Sequence, residues 1–328
     1  GKMARKKSTQ IIAGVAALVV LLPAFSLFHG YYGEGPLTAD RNVVVPDGAT
    51  LTIVAQRLQA AGAITSARAF RFHVRMLGHG GANVKAGEFT LPKGASEQQI
   101  LDILSGNEAV RRFVTVPEGL PSIMVQERLM AQSALSGPVT VPDEGTILPD
   151  TYDVKAGETR VQVVARMQAA MSKELADLWA KRAPDLPVKT PHETIVLASI
   201  VEKETGKPAE RAMVAGLYEN RLRQGMPLQA DPTIIYPITR GKPLGRRILH
   251  SEIVAKNDYN TYSMDGLPKG PITNPGRASI EAVLHPARTQ ALYMVADGTG
   301  GHAFANTLDE HNENVKKWFA IRRAKGEI

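Results

Sequence analysis

The chain has 328 residues with a formal net charge of +7, so it is long enough for two or three domains and favours anionic partners or a membrane surface. It contains no cysteine, which excludes disulfides and thiolate metal sites and suits an exported protein. Aromatic residues make up only 5% of the chain. This argues against a cleft rich in stacking rings and against a platform for single-stranded nucleic acid.

The N-terminal segment has the pattern of a membrane anchor. Basic residues precede an uncharged run, Ile11–Phe28, and about 18 apolar residues suffice to cross a bilayer. The basic side is expected to stay in the cytoplasm, and Tyr31 and Tyr32 are expected to lie at the far interface. A cleaved signal peptide is the alternative, but the run is long for one and no small-x-small site follows it. We therefore predict a single-pass protein of the cell (inner) membrane with its bulk outside the cytoplasm.

A pattern of strand, turn and helix occurs twice in the first half of the chain. Val45-Pro-Asp-Gly48 follows a short apolar strand and precedes a helical repeat, and Val116-Pro-Glu-Gly119 does the same. Each unit then continues with a second strand and with a helix that Ser96 or Thr159 can cap. The pattern predicts two related units of strand, turn, helix, strand and helix. Coincidence is the alternative, since Val-Pro-acid-Gly is a common turn.

Two further helices are predicted beyond a proline-rich hinge at 183–189. Thr190-Pro-His-Glu193 is a complete helix start, with a hydroxyl cap, a proline at the first helical position and a glutamate three residues after the cap. This helix is predicted to end at Gly206. A second helix is predicted from Ala209 to Gln224.

The following region, 225–301, is rich in Gly, Pro and Asn and is predicted to be largely irregular. It contains two short strand-like runs, Thr233–Tyr236 and Ala291–Ala296. A last helix is predicted to begin near Asp309.

Two glutamates, Glu202 and Glu204, stand at the end of the helix that Thr190 opens. Residues two apart on a helix point in well-separated directions, so they cannot form the opposed carboxylates of an ordinary glycosidase. A carboxyl group beside apolar surface keeps a proton available near neutral pH. Glu202, at the polar end of an apolar flank, is therefore a candidate acid. The pattern alone leaves open the alternative of a solvated helix end.

Many ordered motifs give the chain a likeness to one known family, and this likeness covers nearly the whole chain after residue 40. Glu144-Gly-Thr-Ile-Leu-Pro-Asp-Thr-Tyr152 belongs to it. The motifs that follow are Ala198-Ser-Ile-Val-Glu-Lys-Glu-Thr205, Asn220-Arg-Leu222, Leu228-Gln-Ala-Asp-Pro-Thr233, Asp258-Tyr-Asn-Thr-Tyr262, Leu267-Pro-Lys-Gly-Pro-Ile272, Asn274-Pro-Gly276 and Gly300-Gly-His-Ala-Phe304. Together they resemble the endolytic murein transglycosylases of the YceG-like family.

The resemblance implies a lyase that cleaves the β-1,4 bond between N-acetylmuramic acid and N-acetylglucosamine in nascent peptidoglycan strands near the membrane. It implies that Glu202 is the catalytic acid and then the base. Glu204 is the next candidate if a Glu202→Gln variant keeps its activity. The muramoyl C6 hydroxyl is the nucleophile, so the product carries a 1,6-anhydro ring and one carboxyl group suffices. No cofactor and no metal are expected, because His302, Asp309 and His311 fit no standard zinc spacing.

The loop after the second helix and the motifs beyond it are expected to contact the sugars. For each of these residues turn chemistry or packing is the alternative. The expected substrate-binding residues are Gln229, Asp231, Thr233, Tyr236, Asn260, Tyr262 and Asn274.

The predicted fold class is α+β, with an N-terminal transmembrane helix, a LysM-like α/β module and a mixed α+β catalytic domain. The LysM-type likeness rests on Val45-Pro-Asp-Gly-Ala-Thr50 and Ile53-Val-Ala-Gln-Arg-Leu58. The expected boundaries are a basic tail at 1–10, the anchor at 11–32, a linker at 33–41, the LysM-like module at 42–110, a second α/β unit at 111–182 and the catalytic domain at 183–328.

Peptidoglycan glycan strands are the expected partner, and the family implies peptidoglycan synthases (penicillin-binding proteins) as further partners. Nucleic acid is not expected, because the chain combines an anchor with no reader motif. Two other functions stay open at this point. One is a non-catalytic, membrane-anchored scaffold that binds peptidoglycan, and the other is a muramidase that uses water.

Overall fold

A long apolar helix, α1 (Lys2–Tyr32), opens the structure, a computed structural model that describes residues 2–78 and 83–328. Within these described ranges, it is the one helix long and apolar enough to cross a membrane. Its end differs from the prediction. Tyr31 is buried in the core of the module that follows, whereas Tyr32 is exposed. The expected interfacial pair is therefore reduced to one ring.

The chain divides into two compact units, Gly1–Arg112 and Phe113–Ile328. In the first unit, β1 and β2 form an antiparallel pair with Arg41 opposite Leu91. The elements after α1 are β1 (Arg41–Val45), α2 (Leu51–Ala60), α3 (Ala67–Leu77), β2 (Gly87–Leu91) and α4 (Glu97–Ser105).

Helix α3 is an addition to the predicted order of strand, turn, helix, strand and helix. Ser66 caps it by accepting a hydrogen bond from the backbone N–H of Ala69. Its apolar face places Phe70 and Val74 in the core of the first unit. Helix α3 thus completes this core together with α2 and α4. The predicted LysM-like module at 42–110 also contains residues 79–82, which lie outside the described part of the chain.

The second unit begins with the same elements in the order that the sequence predicted, without an additional helix. β3 and β4 form a two-stranded sheet. The elements are β3 (Arg112–Val116), α5 (Ser122–Ala131), β4 (Asp150–Val154) and α6 (Arg160–Ala180).

These four strands all end in the same turn. Three residues after each strand stands a glycine with φ between 70° and 83°, a conformation that other residues rarely adopt. Three residues after each glycine the next helix begins. The glycines are Gly48, Gly94, Gly119 and Gly157. Ser96 and Thr159 also form equivalent capping boxes on α4 and α6. The repetition supports the predicted relation between the two units.

The rest of the second unit is mainly helical. Its core lies where α7, α8 and α11 pack together, and every residue of α7 from 194 to 201 is buried. The elements are α7 (Pro191–Glu204), a 3-10 turn (Pro208–Glu210), α8 (Arg211–Gln224), α9 (Asp231–Thr239), α10 (His250–Ile253), α11 (Arg277–Leu284), β5 (Tyr293–Ala296), β6 (His302–Ala305) and α12 (Leu308–Ala324).

Most predicted elements of this region are confirmed, and one is wrong. Thr190 caps α7 through the backbone N–H of Glu193 at 3.1 Å. The run Thr233–Tyr236, predicted as strand-like, lies inside helix α9. Asp231 and Pro232 occupy the first two positions of this helix, where both residue types favour a helix start. A four-residue apolar run does not by itself separate a strand from a buried helix.

Candidate active site

The last turn of α7 carries both glutamates of the Ile-Val-Glu-Lys-Glu-Thr motif, and the two side chains contact different surroundings. This confirms that they do not form an opposed pair. Each is partly buried, and burial is the largest influence on the pKa of each carboxyl group. Their neighbours decide how they differ.

Glu202 points towards the start of α11. Its Oε1 accepts a hydrogen bond of 2.7 Å from the backbone N–H of Gly276, the residue that precedes this helix. Burial raises the pKa of Glu202, Gly276 lowers it, Glu118 raises it and Arg211 lowers it. Glu118 has a side chain that is 48% exposed and forms an ion pair with Arg211 at 3.5 Å. Glu202 therefore belongs to a charged cluster beside a helix N-terminus, and burial outweighs the backbone donor, so that the pKa of its carboxyl group is raised.

Glu204 points into a cavity of about 390 Å³, a volume typical of small-ligand sites. Burial and the negative charge of Asp231 raise the pKa of Glu204 to about 7, against a hydrogen bond from Tyr218 that lowers it. A carboxyl group with this pKa is partly protonated at neutral pH and can both donate and accept a proton. Glu202 is not among the residues that line this cavity.

Three of the predicted substrate-binding residues, Gln229, Asp231 and Tyr262, line the same cavity as Glu204. The Tyr262 hydroxyl donates to Asp231 Oδ1 at 2.5 Å. Gln229 has a φ of 52°, in the left-handed region that non-glycine residues seldom occupy. Such strained backbone often lies at functional sites. The structure thus brings these three residues and one of the two glutamates together.

Two other predicted substrate-binding residues form the frame of this cavity. Thr233 is buried, and its hydroxyl donates to the backbone C=O of Ala230 at 2.6 Å. It also contacts the hydroxyl of Thr261 at 2.8 Å and so ties the start of α9 to the loop that carries Tyr262. Asn260 is also buried, and its amide donates to three backbone carbonyls. Both residues position the loop and present no side chain to the cavity.

The remaining two predicted residues, Tyr236 and Asn274, lie in a polar network elsewhere in the second unit. The Tyr236 hydroxyl donates to Glu144 at 3.0 Å. The fully buried amide of Asn274 donates to the backbone C=O of Leu120 at 2.9 Å and accepts from the N–H of Ile147 at 3.1 Å. Their contact with sugar stays a prediction, and the geometry gives both residues a role in stability.

Several residues that line the cavity were not assigned from the sequence: Tyr218, Arg221, Tyr293 and His311. Arg221 is buried and lies over the Tyr293 ring with 5.2 Å between the guanidinium carbon and the ring centroid. Burial and the positive charge of Arg221 lower the pKa of His311. Three tyrosines line this cavity although the chain has a low aromatic content. The overall composition therefore did not indicate that aromatic residues cluster at one site. Arg221 belongs to the Asn220-Arg-Leu motif, which was the available signal.

Histidine and carboxylate groups do not meet in a metal-like arrangement anywhere in residues 2–78 and 83–328. His302 lies beside Glu210, which accepts from its backbone N–H at 2.7 Å and contacts its Nδ1 at 2.8 Å. One further carboxyl group, Glu219 on α8, is fully buried, and burial raises its pKa to about 8. Neither of its oxygens has a hydrogen-bond partner among the described residues, and it does not line the cavity.

A buried carboxyl group with a raised pKa in a polar, tyrosine-lined cavity is typical of an acid–base enzyme that acts on a polar substrate. The YceG-like family matches residues 43–317. The chain therefore belongs to the YceG-like family.

Its relatives are similar over most of their length. The endolytic murein transglycosylase of Bacillus subtilis (strain 168) is 28% identical over 316 residues, covering 87% of this chain and 86% of that protein. The endolytic murein transglycosylase of Streptococcus pneumoniae serotype 2 (strain D39) is 28% identical over 368 residues, covering 94% of this chain and 65% of that longer protein. A crystal structure of a yceG-like protein from Listeria monocytogenes is 26% identical, with a TM-score of 0.53, and covers 84% of this chain and 98% of that one.

Proposed function

We propose that the protein is an endolytic peptidoglycan lytic transglycosylase, a lyase that cleaves the β-1,4 bond between N-acetylmuramic acid and N-acetylglucosamine. Membership of the YceG-like family and the names of the relatives support the reaction class. Within this chain, one observation carries the proposal: Glu204 shares a cavity with Gln229, Asp231 and Tyr262. That cavity combines a proton donor with polar and ring groups suited to sugars.

Glu204 is the acid that this geometry supports best. In its protonated form it donates a proton to the glycosidic oxygen while the bond from that oxygen to the muramoyl C1 breaks. Because the pKa of Glu204 is about 7, a substantial fraction of the group holds this proton at neutral pH. Proton donation from a positioned side chain contributes about 10²–10⁴-fold to a rate.

The same carboxyl group then acts as the base. As Glu204 carboxylate, it takes the proton from the muramoyl C6 hydroxyl while that oxygen bonds to C1, which closes the 1,6-anhydro ring. One proton leaves the enzyme and one returns, so no water is consumed. Asp231 has two parts in this scheme. After burial, its negative charge is the second cause that raises the pKa of Glu204, and the same charge stabilises the positive charge that develops on the sugar ring.

Glu202 stays the acid predicted from the sequence, and it is the second candidate. Burial also raises its pKa, which is compatible with proton donation. Against it stand the hydrogen bond from Gly276, which favours its carboxylate form, and its position outside the cavity that Glu204 shares with Gln229, Asp231 and Tyr262.

A second reaction has its own supporting observation. Glu204 and Asp231 are two carboxyl groups in one cavity, and a muramidase that uses water needs such a pair. The two reactions differ in their products, since water gives a reducing end and the intramolecular attack gives a 1,6-anhydro end.

The remaining parts of the proposal concern place and partners. We propose that α1 spans the cell (inner) membrane with its basic end in the cytoplasm, and that the first unit binds glycan as a LysM-like module. An enzyme held by such an anchor acts only a short distance above the bilayer. Its substrate is therefore the nascent strands close to the bilayer, and its neighbours are the peptidoglycan synthases.

The test is to incubate the full chain with uncrosslinked glycan and to identify the new chain ends by mass spectrometry. We expect internal cleavage and 1,6-anhydro ends. Reducing ends would show that the protein is a muramidase that uses water and not a lyase. Glycan that is bound but not cleaved would show that the protein is a non-catalytic scaffold.

A further inference from the structure

We propose that α3 is an interfacial helix that lies on the lipid headgroups beside the anchor, with Phe72 and Met76 inserted into the bilayer surface. The proposal rests on the proposed membrane span of α1. It adds a second, independent contact between the first unit and the membrane.

The first observation is an exposed stripe on α3. Phe72 is 55% exposed and Met76 is 59% exposed. These two residues are four apart, so they share one face of the helix. Arg68 and Arg75 are exposed on the same face, at the helical spacing of four and three residues from Phe72. The opposite face is buried in the core.

The composition of α3 matches a membrane surface. The helix contains three arginines and no acidic residue. Basic residues that flank exposed apolar side chains are the pattern of helices that lie in the plane of the lipid interface. Single exposed apolar residues need no explanation, but two on one helical face between arginines are more specific.

The second observation is the level of α3 along the anchor. The uncharged run Ile11–Phe28 has a length of about 27 Å as a helix, close to the roughly 30 Å of a hydrocarbon core. Gly30 lies two residues beyond this run, about 3 Å further along the axis. The ring of His73 on α3 lies directly against Gly30, since a Cβ atom on Gly30 would come within 2.5 Å of His73 Cε1. Helix α3 is thus placed at the depth of the headgroups.

Contacts at the end of α1 fix the position of α3 along the anchor. Tyr31 is buried in the same core cluster as Phe70 and Val74 of α3. At the other end of α3, a Cβ atom on Gly78 would lie 3.0 Å from the Tyr31 hydroxyl. Because the last turn of α1 packs into the module, the module cannot swing away from the membrane without breaking this core.

Two acidic groups of α4 lie near the end of the anchor. The acidic groups of α4, which also packs against α1, have partners. Glu97 pairs with His73 at 2.6 Å, and Asp102 accepts a hydrogen bond from Gln98 at 2.5 Å. Glu97 and Asp102 thus have partners other than the arginines of α3, which leaves Arg68 and Arg75 available to lipid phosphates.

The absence of cysteine from the chain allows a direct test with single-cysteine variants of the full protein in phosphatidylcholine vesicles, with or without phosphatidylglycerol. A fluorescent probe on Phe72→Cys is compared with one on Ile53→Cys, since Ile53 is an apolar residue of α2 that is 40% exposed. A probe on Val19→Cys reports whether α1 spans the bilayer. Quenchers are nitroxide lipids and aqueous iodide.

We expect lipid nitroxides to quench the probe at 72 at least about twofold more than the probe at 53, and iodide to show the reverse. Arg68→Gln combined with Arg75→Gln should weaken the quenching most in vesicles with phosphatidylglycerol. Equal access of iodide to both probes would overturn the proposal while Val19→Cys and the cleavage assay still report on the anchor and the activity. Protection from iodide without quenching by lipid would assign the stripe to a protein partner and would equally overturn it.

Discussion

Glu202 and Glu204 stand on one helical turn of α7, but they belong to different regions of the second unit. In the Glu202 region, Gly276 at the start of α11 donates its backbone N–H to Glu202, and Glu118 pairs with Arg211 at the start of α8. The Glu204 region opens into the cavity formed with α8, α9 and β5. The comparison shows that a motif specifies which residue types are present, whereas packing decides which of them lines a cavity. The following variants test this division, from the largest expected effect to the smallest.

Glu204→Gln should lower the cleavage rate at least about 100-fold, because an amide neither donates the proton nor takes it back. Thermal unfolding should show a folded protein of similar or higher stability, since the change removes a carboxyl group that burial disfavours in its charged form. The measurement is the rate of release of 1,6-anhydro products per folded molecule. Activity within a few-fold of the unmodified chain would remove Glu204 from the mechanism.

Asn274→Ala should lower the free energy of unfolding by about 1–3 kcal/mol for each buried group left unpaired. The N–H of Ile147 and the C=O of Leu120 would lose their partner. Chemical denaturation measures this change, and Asn306→Ala, at an exposed position, is the matched control. Cleavage per folded molecule should change little. A large loss of activity with unchanged stability would support the sequence-based role of Asn274 in sugar binding.

The pH dependence of cleavage should respond to the two neighbours of Glu204 in opposite directions. Activity needs the protonated group, so kcat/KM should fall as pH rises through about 7. Asp231→Asn removes a charge that raises the pKa of Glu204 and should move this fall to lower pH. Tyr218→Phe removes a hydrogen bond that lowers the pKa and should move it to higher pH.

Asp258→Asn supplies the control for these profiles, since Asp258 is 73% exposed, pairs with Lys269 and does not line the cavity. Its profile should match that of the unmodified chain. Shifts in the same direction for Asp231→Asn and Tyr218→Phe would contradict Glu204 as the titrating group.

The raised pKa of Glu204 also affects stability. Its folded-state pKa of about 7 lies above the ordinary 4.5. Glu204 therefore contributes to the free energy of unfolding below pH 4.5, and this contribution is lost as the pH rises to about 7.

Glu202→Gln should have the smallest effect, a fall in cleavage of less than about tenfold, because catalytic proton transfer is assigned elsewhere. The glutamine oxygen can still accept the hydrogen bond from Gly276, so unfolding should also change little. Measured beside Glu204→Gln, this variant decides between the two regions. Loss of all cleavage here, with activity retained in Glu204→Gln, would establish the sequence-based assignment of Glu202.

Much of the local structure follows from the sequence, because its causes are local. Thr190 and Pro191 start α7 wherever the helix is placed, and the glycines after four strands set the same turn each time. Local signals also misled where they were ambiguous, as with the short run inside α9. Helix α3 was not predicted, because its mixture of arginines and apolar residues gave no clear local signal for a helix.

The candidate site shows the same division between local and long-range causes. The sequence by itself determined the anchor-like run, the repeated units and the residue types of the motif, because these depend on neighbours along the chain. Only the tertiary structure placed Gln229, Asp231 and Tyr262 beside Glu204 and buried Asn274 in a separate network. Burial and the approach of distant charges set a carboxyl pKa, and both arise only when separate helices and loops pack together.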